Sequence, residues 1–297
     1  MVNQAQLEHI SSSKGFIAAL DQSGGSTPKA LELYGIQKDA YNNDDDKMYA
    51  LIHQMRTRII HAPAFNGAKV VGAILFEMTM DRDIGGKPVA QALWKDQSIV
   101  PFLKVDNGLM DTNDGVQLMK PIKTLNTLLA RAVDASMFGT KMRSVINAAS
   151  PSGIEAIVAQ QFHIAKQIIA AGLVPIIEPE ITISITDKTQ AEELLLATLL
   201  RHLDGLLPNQ KVILKLTLPE IRNQYAKCVT HDRVIRVVAL SGGYERDEAN
   251  ARLAKNTGII GSFSRALTQG LSAQQSNNEF NAMIAATIDS IYEASIA

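Results

Sequence analysis

The sequence predicts a single (β/α)₈ barrel spanning residues 1–297. Three observations point to it: eight short apolar runs rich in β-branched residues, amphipathic stripes alternating with them, and no linker that would divide the chain. An open doubly wound sheet is compatible with the same alternation, but eight units favour closure into a barrel.

The runs are GFIAALDQ (15–22), VVGAILFEMTM (70–80), IVPFLKVD (99–106), FGTKMRSV (138–145), LVPIIEPEI (173–181), KVILKLTL (211–218), RVIRVVALSGG (233–243) and IIGSFSRAL (259–267). Most are apolar throughout rather than alternating, as expected of parallel strands covered on both faces. Helical spacing is clearest over 152–171, where Ile154, Ile157, Val158, Phe162, Ala165, Ile168 and Ile169 form one stripe and Gly172 supplies a stop. Similar stripes occupy about 47–60, 122–135, 190–206, 245–255 and 278–294. The connection after 99–106 is the weakest part of the pattern, with no helix evident until Ile122. The acidic run Asn42, Asn43, Asp44, Asp45, Asp46 precedes a stripe and is expected to cap it, not to bind a metal.

Lysine plus arginine total 29 and aspartate plus glutamate 30, so no net field draws in nucleic acid, and any anion site must be local. The chain shows neither a signal-peptide pattern nor a membrane-length apolar run, so a soluble, cytoplasmic protein is expected. The stripes are already needed for the barrel and specify no oligomeric state. The single cysteine, Cys228, is expected to be a buried small hydrophobe. His9, His53, His61, His163, His202 and His231 form no ligand pair at metal spacing, so no metal or other cofactor is expected.

Charged residues recur at period two near the ends of the apolar runs: Lys104 and Asp106, Lys141 and Arg143, Glu178 and Glu180, with Lys215 and Thr217 in the same pattern. Residues two apart share a face, and in a barrel that face can be the lumen near the catalytic mouth. Asp21 occupies the corresponding end of the first run. A plug of ion pairs is the structural alternative, but four strands carrying charge inward favour chemistry. Lys215 is the strongest candidate, because burial and a neighbouring cation such as Lys141 favour the neutral amine that attacks a carbonyl. Lys211 shares its face but sits at the start of its strand, where solvent is expected to reach it. Imine chemistry also needs a proton carrier, which Glu178 or Glu180 can supply. Pro179 between them lacks an N–H and should interrupt a regular ladder.

Two glycine–serine stretches read as anion cradles. Ser241, Gly242 and Gly243, followed by Ser264 and Arg265, lie after the seventh strand and in the eighth run, where barrel phosphate sites are frequent. Ser23, Gly24, Gly25 and Ser26 follow the first, with Lys29 one turn on. Neither stretch has a nucleotide-binding glycine pattern. Together they suit a small molecule carrying a phosphate at each end.

The segments GFIAALDQSGGSTPKAL, GAILFEMTMDR, VPFLKVDNG, FGTKMRS, GLVPIIEPEI, VILKLTLP, VVALSGGY and SFSRAL resemble class I fructose-bisphosphate aldolases, most closely the short bacterial form. The resemblance implies metal-independent, reversible cleavage of fructose 1,6-bisphosphate to dihydroxyacetone phosphate and glyceraldehyde 3-phosphate. It implies Lys215 as the Schiff-base lysine, Glu178 as the acid/base of imine chemistry, Asp21 at the hydroxyl beside the scissile bond, and Lys141 as electrostatic support. Ser241, Gly242, Gly243 and Arg265 would hold the phosphate of the dihydroxyacetone half, and Ser23, Ser26, Lys104 and Arg143 the other. The chain departs from the longer animal and plant type, in which the reactive lysine lies in LEGTLLKP, not ILKLTLP. Ser264 replaces a glycine of that type, and no long tail follows Tyr292, which leaves a tail-gated proton step without a basis here.

Overall fold

Apolar runs with no solvent-facing side become the eight parallel strands of a barrel in the computed structural model, which describes residues 2–297. They are β1 (Phe16–Leu20), β2 (Val70–Leu75), β3 (Val100–Lys104), β4 (Gly139–Ile146), β5 (Val174–Ile181), β6 (Val212–Thr217), β7 (Val234–Leu240) and β8 (Ile259–Gly261). Each pairs with the next in chain order. The Ala19 N–H donates to the Phe263 carbonyl at 3.1 Å, bringing the end of the last unit against β1. Gly139 permits close strand approach, because a Cβ there would lie 2.2 Å from the Val174 carbonyl oxygen.

The principal helices are α1 (Gln4–Ser12), α2 (Ser26–Leu33), α3 (Asp45–Ile60), α4 (Leu125–Asp134), α5 (Pro151–Ala170), α6 (Lys188–Asp204), α7 (Arg246–Leu253), α8 (Arg265–Thr268) and α9 (Asn277–Ile296). The Asp44 side chain accepts from the Lys47 N–H and caps α3, with Asp45 and Asp46 in its first turn, as the acidic run implied. Helix α1 was not evident from the stripes. It lies beneath the barrel, where Arg236 of β7 donates to the Ile10 and Ser13 carbonyls. None of the described helices is long and apolar enough to cross a membrane.

Three apolar runs end well short, as strands, of where the sequence implies. The second stops at Leu75 and turns into a short helix, Glu77–Met80, whose Thr79 and Met80 are buried. The seventh stops at Leu240, before a turn in which Gly242 and Gly243 have φ of 61° and 118°. The eighth is a strand only to Gly261, so Ser264 and Arg265 lie at the start of α8 and not within a strand. At the mouth, apolar residues remain buried against neighbouring loops after the ladder ends, and periodicity cannot separate these two environments. The weak connection after β3 is an extended excursion; its Val116–Gln117 segment pairs antiparallel with the end of β4 before α4 begins.

Pro179 interrupts pairing on one side only. The β4–β5 register runs through Ser144 opposite Pro179 to Ile146 opposite Ile181, contrary to a break on both sides. The β5–β6 ladder is confined to Ile176–Ile213 and Ile177–Leu214. Beyond it, Thr217 Oγ1 accepts from the Ile181 N–H at 2.8 Å and donates to its carbonyl at 3.0 Å, satisfying groups the parted strands leave unpaired.

The lumen is layered. Ile17, Val100, Phe102, Val174, Ile176, Ile213, Val238 and Ile260 form an aliphatic and aromatic floor, with Ile10 of α1 among them. This cluster is distinct from the larger core between sheet and helices. Moving two residues along β3, β5 and β6 leads from Phe102 to Lys104, from Ile176 to Glu178 and from Ile213 to Lys215. The charged layer therefore rests on an apolar floor.

Candidate active site

Consecutive strands are neighbours in a parallel barrel, so β5 stands between β4 and β6. Glu178 consequently lies between Lys141 and Lys215. Its Oε1 is 3.0 Å from Lys215 Nζ, and its Oε2 is 3.0 Å from Lys141 Nζ. Lys141 Nζ also lies 2.5 Å from Asp21 Oδ2 at the end of β1. The result is a buried row of alternating charge: Asp21, Lys141, Glu178, Lys215. Lys141, expected as a cation neighbouring Lys215, lies one strand further round, with the Glu178 carboxylate between the two amines.

Burial pushes the Asp21 carboxyl up, but Lys141 and Lys215 outweigh it and hold the carboxyl well below its ordinary range. Burial opposes the Lys141 ammonium, yet Asp21 and Glu178 push its pKa well upward. For Glu178, burial is again the largest opposing influence, and Lys141 and Lys215 bring the net shift downward. Asp21, Lys141 and Glu178 thus favour their charged forms, because opposite charges nearby outweigh the desolvation cost of each.

Groups behind the lumen fix the row. The Glu178 N–H donates to Gln161 Oε1 at 2.9 Å, and Gln161 Nε2 donates to Ser144 Oγ at 3.0 Å; the Gln161 side chain is fully buried on α5. Beyond β6, buried Lys188 of α6 donates to the Leu218 carbonyl at 2.9 Å and to Glu192 at 2.5 Å, anchoring the chain just after the strand that carries Lys215.

The charged row faces a cavity of about 410 Å³ at the C-terminal mouth. Lys104, Arg143, Ser26, Ser241, Gly242, Ser264 and Arg265 share its wall with Asp21, Lys141, Glu178 and Lys215. Ser23 and Gly243 are not part of that wall. Ser23 instead turns with Ser26: its N–H donates to Ser26 Oγ at 2.9 Å, and that hydroxyl donates back to the Ser23 carbonyl at 2.9 Å. Gly243 adjoins Arg265, whose guanidinium would be 3.1 Å from a Cβ placed there. At the rim, Lys104 pairs with Asp106 at 2.7 Å and Arg143 pairs with Glu180. Among the described residues Arg265 has no carboxylate partner within 4.0 Å, which leaves it available to an anion. A separate cavity of about 290 Å³ around Trp94, Phe138 and Leu173 lies at the opposite end of the strands and contains no comparable charge row.

Several participants escaped the sequence reading. Gln22 lines the cavity, and its Nε2 donates to Ser264 Oγ at 2.9 Å. Arg56 of α3 holds Gln22 from behind and is completely buried. Its signal was present in the helical spacing, because Arg56 falls on the stripe of Ile52, Met55 and Ile59. Cys228 is buried, and desolvation pushes its thiol up to about 12, while Lys211 reaches the Asp232 carbonyl at the strand's opposite end. No cluster of three or more histidine, cysteine, aspartate or glutamate side chains is arranged to hold a metal among the described residues.

The family described as "Glycolytic: Fructose-bisphosphate aldolase class-I" matches residues 3–223. The chain belongs to the class I fructose-bisphosphate aldolase family. Fructose-bisphosphate aldolase class 1 of a Synechocystis species is 58% identical over 294 residues, covering 99% of this chain and 98% of that protein. The Porphyromonas gingivalis protein of the same description is 53% identical, covering 99% of this chain and all of its own. The same fold is seen in the Plasmodium falciparum fructose-bisphosphate aldolase crystallised with TRAP and a small-molecule inhibitor. It superimposes with a TM-score of 0.76 at 18% identity, covering 98% of this chain and 92% of that one. The family match ends before Ser241, whereas the full-length relatives extend across the Ser241–Arg265 region as well. Family and fold together support an aldolase-type lyase acting through the fructose-bisphosphate aldolase reaction.

Proposed function

We propose that this class I aldolase cleaves fructose 1,6-bisphosphate reversibly to dihydroxyacetone phosphate and glyceraldehyde 3-phosphate through an imine on Lys215, without a metal. The observation that carries the proposal is the Glu178 carboxylate seated 3.0 Å from both buried amines. Glu178 takes the Lys215 proton, freeing the amine to attack the ketose carbonyl, and returns it to the carbinolamine hydroxyl, which leaves as water. The protonated imine accepts the electron pair when the C3–C4 bond breaks, and Asp21 receives the proton of the C4 hydroxyl. This leaves the enamine of dihydroxyacetone phosphate and the free aldehyde. Protonation at C3 and hydrolysis of the imine then restore Lys215.

Lys141 favours the ionised form of both carboxylates before each transfer, so that each starts as a proton acceptor. In this reading Ser241, Gly242, Gly243, Ser264 and Arg265 hold the phosphate of the dihydroxyacetone half. Ser23, Ser26, Lys104 and Arg143 face the other phosphate, with Lys104 and Arg143 turning partly from their carboxylate partners toward it. The extensive internal pairing also suits a purely structural plug; the open cavity, the unpaired Arg265 and the family favour chemistry.

The two-phosphate assignment predicts a kcat/KM for fructose 1,6-bisphosphate at least about 100-fold above that for fructose 1-phosphate, since charged hydrogen bonds to the second phosphate contribute about 1.5–3 kcal/mol each. EDTA is expected to leave the rate unchanged. Preference for the monophosphate would contradict the second cradle, and loss of activity in EDTA would contradict the metal-independent route.

A further inference from the structure

Arg56 is a buried arginine without a carboxylate partner within 4.0 Å among the described residues. A guanidinium removed from water and left without an ion pair is costly, so its retained contacts call for an explanation. Nη1 donates to Thr79 Oγ1 at 2.6 Å, and Nη2 donates to the Gln22 carbonyl at 2.5 Å and, more distantly, to Gln22 Oε1 at 3.3 Å. Nε has no partner. One rigid fork on α3 therefore spans the short helix after β2 and the chain leaving β1, directly next to Asp21. Burial lowers the Arg56 pKa to about 10, and Asp21 is the carboxylate whose field most opposes that shift.

We propose that Arg56 is a positioning residue that sets Asp21 by clamping the Gln22 carbonyl, and thereby governs carbon–carbon cleavage in preference to imine formation. This deepens the function proposed above and rests on its assignment of Asp21. A carbonyl held in a fixed direction fixes the peptide following Gln22 and restrains the backbone that carries the Asp21 side chain. The Gln22 Nε2 bond to Ser264 Oγ remains available when Arg56 is lost, although the Oε1 of the same amide loses its distant contact with the guanidinium. Imine formation depends in this reading on Lys215 and Glu178, whose strands Arg56 does not touch. A tie with only a structural role would change both steps together or neither.

The test uses Arg56→Met and, because that variant removes an entire guanidinium, the milder Thr79→Val, which removes only its second anchor. Each folded protein is assayed for kcat on fructose 1,6-bisphosphate and for borohydride-trapped incorporation of dihydroxyacetone phosphate at Lys215. Arg56→Met is expected to lose about 10- to 100-fold in cleavage kcat while trapping stays within about threefold of wild type. Thr79→Val is expected to show the same split with a smaller loss. Should Arg56→Met not fold, the split in Thr79→Val decides the issue. Wild-type cleavage in the folded variants, or trapping that falls in parallel with cleavage, would overturn the positioning role. Absence of label in the wild type would instead overturn the Schiff-base reading, and this proposal with it.

Discussion

Lys215→Met is expected to lower cleavage of fructose 1,6-bisphosphate by at least about 10⁴-fold while leaving the fold in place. The lysine side chain is buried and contacts Glu178 at 3.0 Å. After its removal Glu178 still has Lys141 at 3.0 Å, so the carboxylate is not left unpaired. Methionine fills comparable space with an apolar chain above the Ile213 floor, and the stability change should remain within about 2 kcal/mol. Steady-state rates and urea unfolding measure the two effects separately. Residual activity above about one per cent of wild type would remove Lys215 from the chemistry, because loss of the covalent nucleophile cannot be so mild.

Lys141→Met should reverse that balance of effects, with a large loss of stability as well as activity. Two buried carboxylates, Asp21 at 2.5 Å and Glu178 at 3.0 Å, depend on this ammonium. Breaking a buried ionic arrangement by removing one member costs about 3–5 kcal/mol. Activity should fall by at least about 100-fold, because both proposed proton carriers lose the field that keeps them ionised. The pH dependence follows from the directions of the shifts. Asp21 and Glu178 titrate below their ordinary values of 3.8 and 4.5, so their contribution is present above those values and is lost as pH falls toward the folded pKa values. Lys141 is shifted upward from 10.5, so its contribution is complete below that value and disappears only in stronger alkali. Urea midpoints across pH should show an acid decline below about 4.5 in the wild type and a shallower one in Lys141→Met. Equal slopes would mean that Lys141 does not hold the two carboxylates.

The barrel was legible because eight covered strands leave continuous apolar runs, and the pleat then places charges two apart on one face. The same rule located Lys104, Lys141, Glu178 and Lys215 before any contact was known. It did not show that Glu178 divides the two lysines, because that arrangement requires strand adjacency as well as periodicity. Strand ends were less legible: Phe76, Met78 and Met80 continue the apolar pattern at the mouth after pairing has ceased, with Glu77 and Thr79 between them. The supporting residues were hardest to read. Gln161 and Arg56 belong to helices, and their roles depend on what those helices press against. Their only trace was a polar side chain on a buried stripe, which alone cannot specify a partner.

In the proposed reaction the buried amine of Lys215 bonds covalently to the ketose half of the substrate. Borohydride reduction in the presence of dihydroxyacetone phosphate, followed by peptide mass mapping, tests it most directly. The expected result is a stable adduct on the peptide containing Lys215, with Lys211 in the same strand region unmodified. An unlabelled Lys215 with label on another lysine, or no label in an active enzyme, would rule out an imine on Lys215.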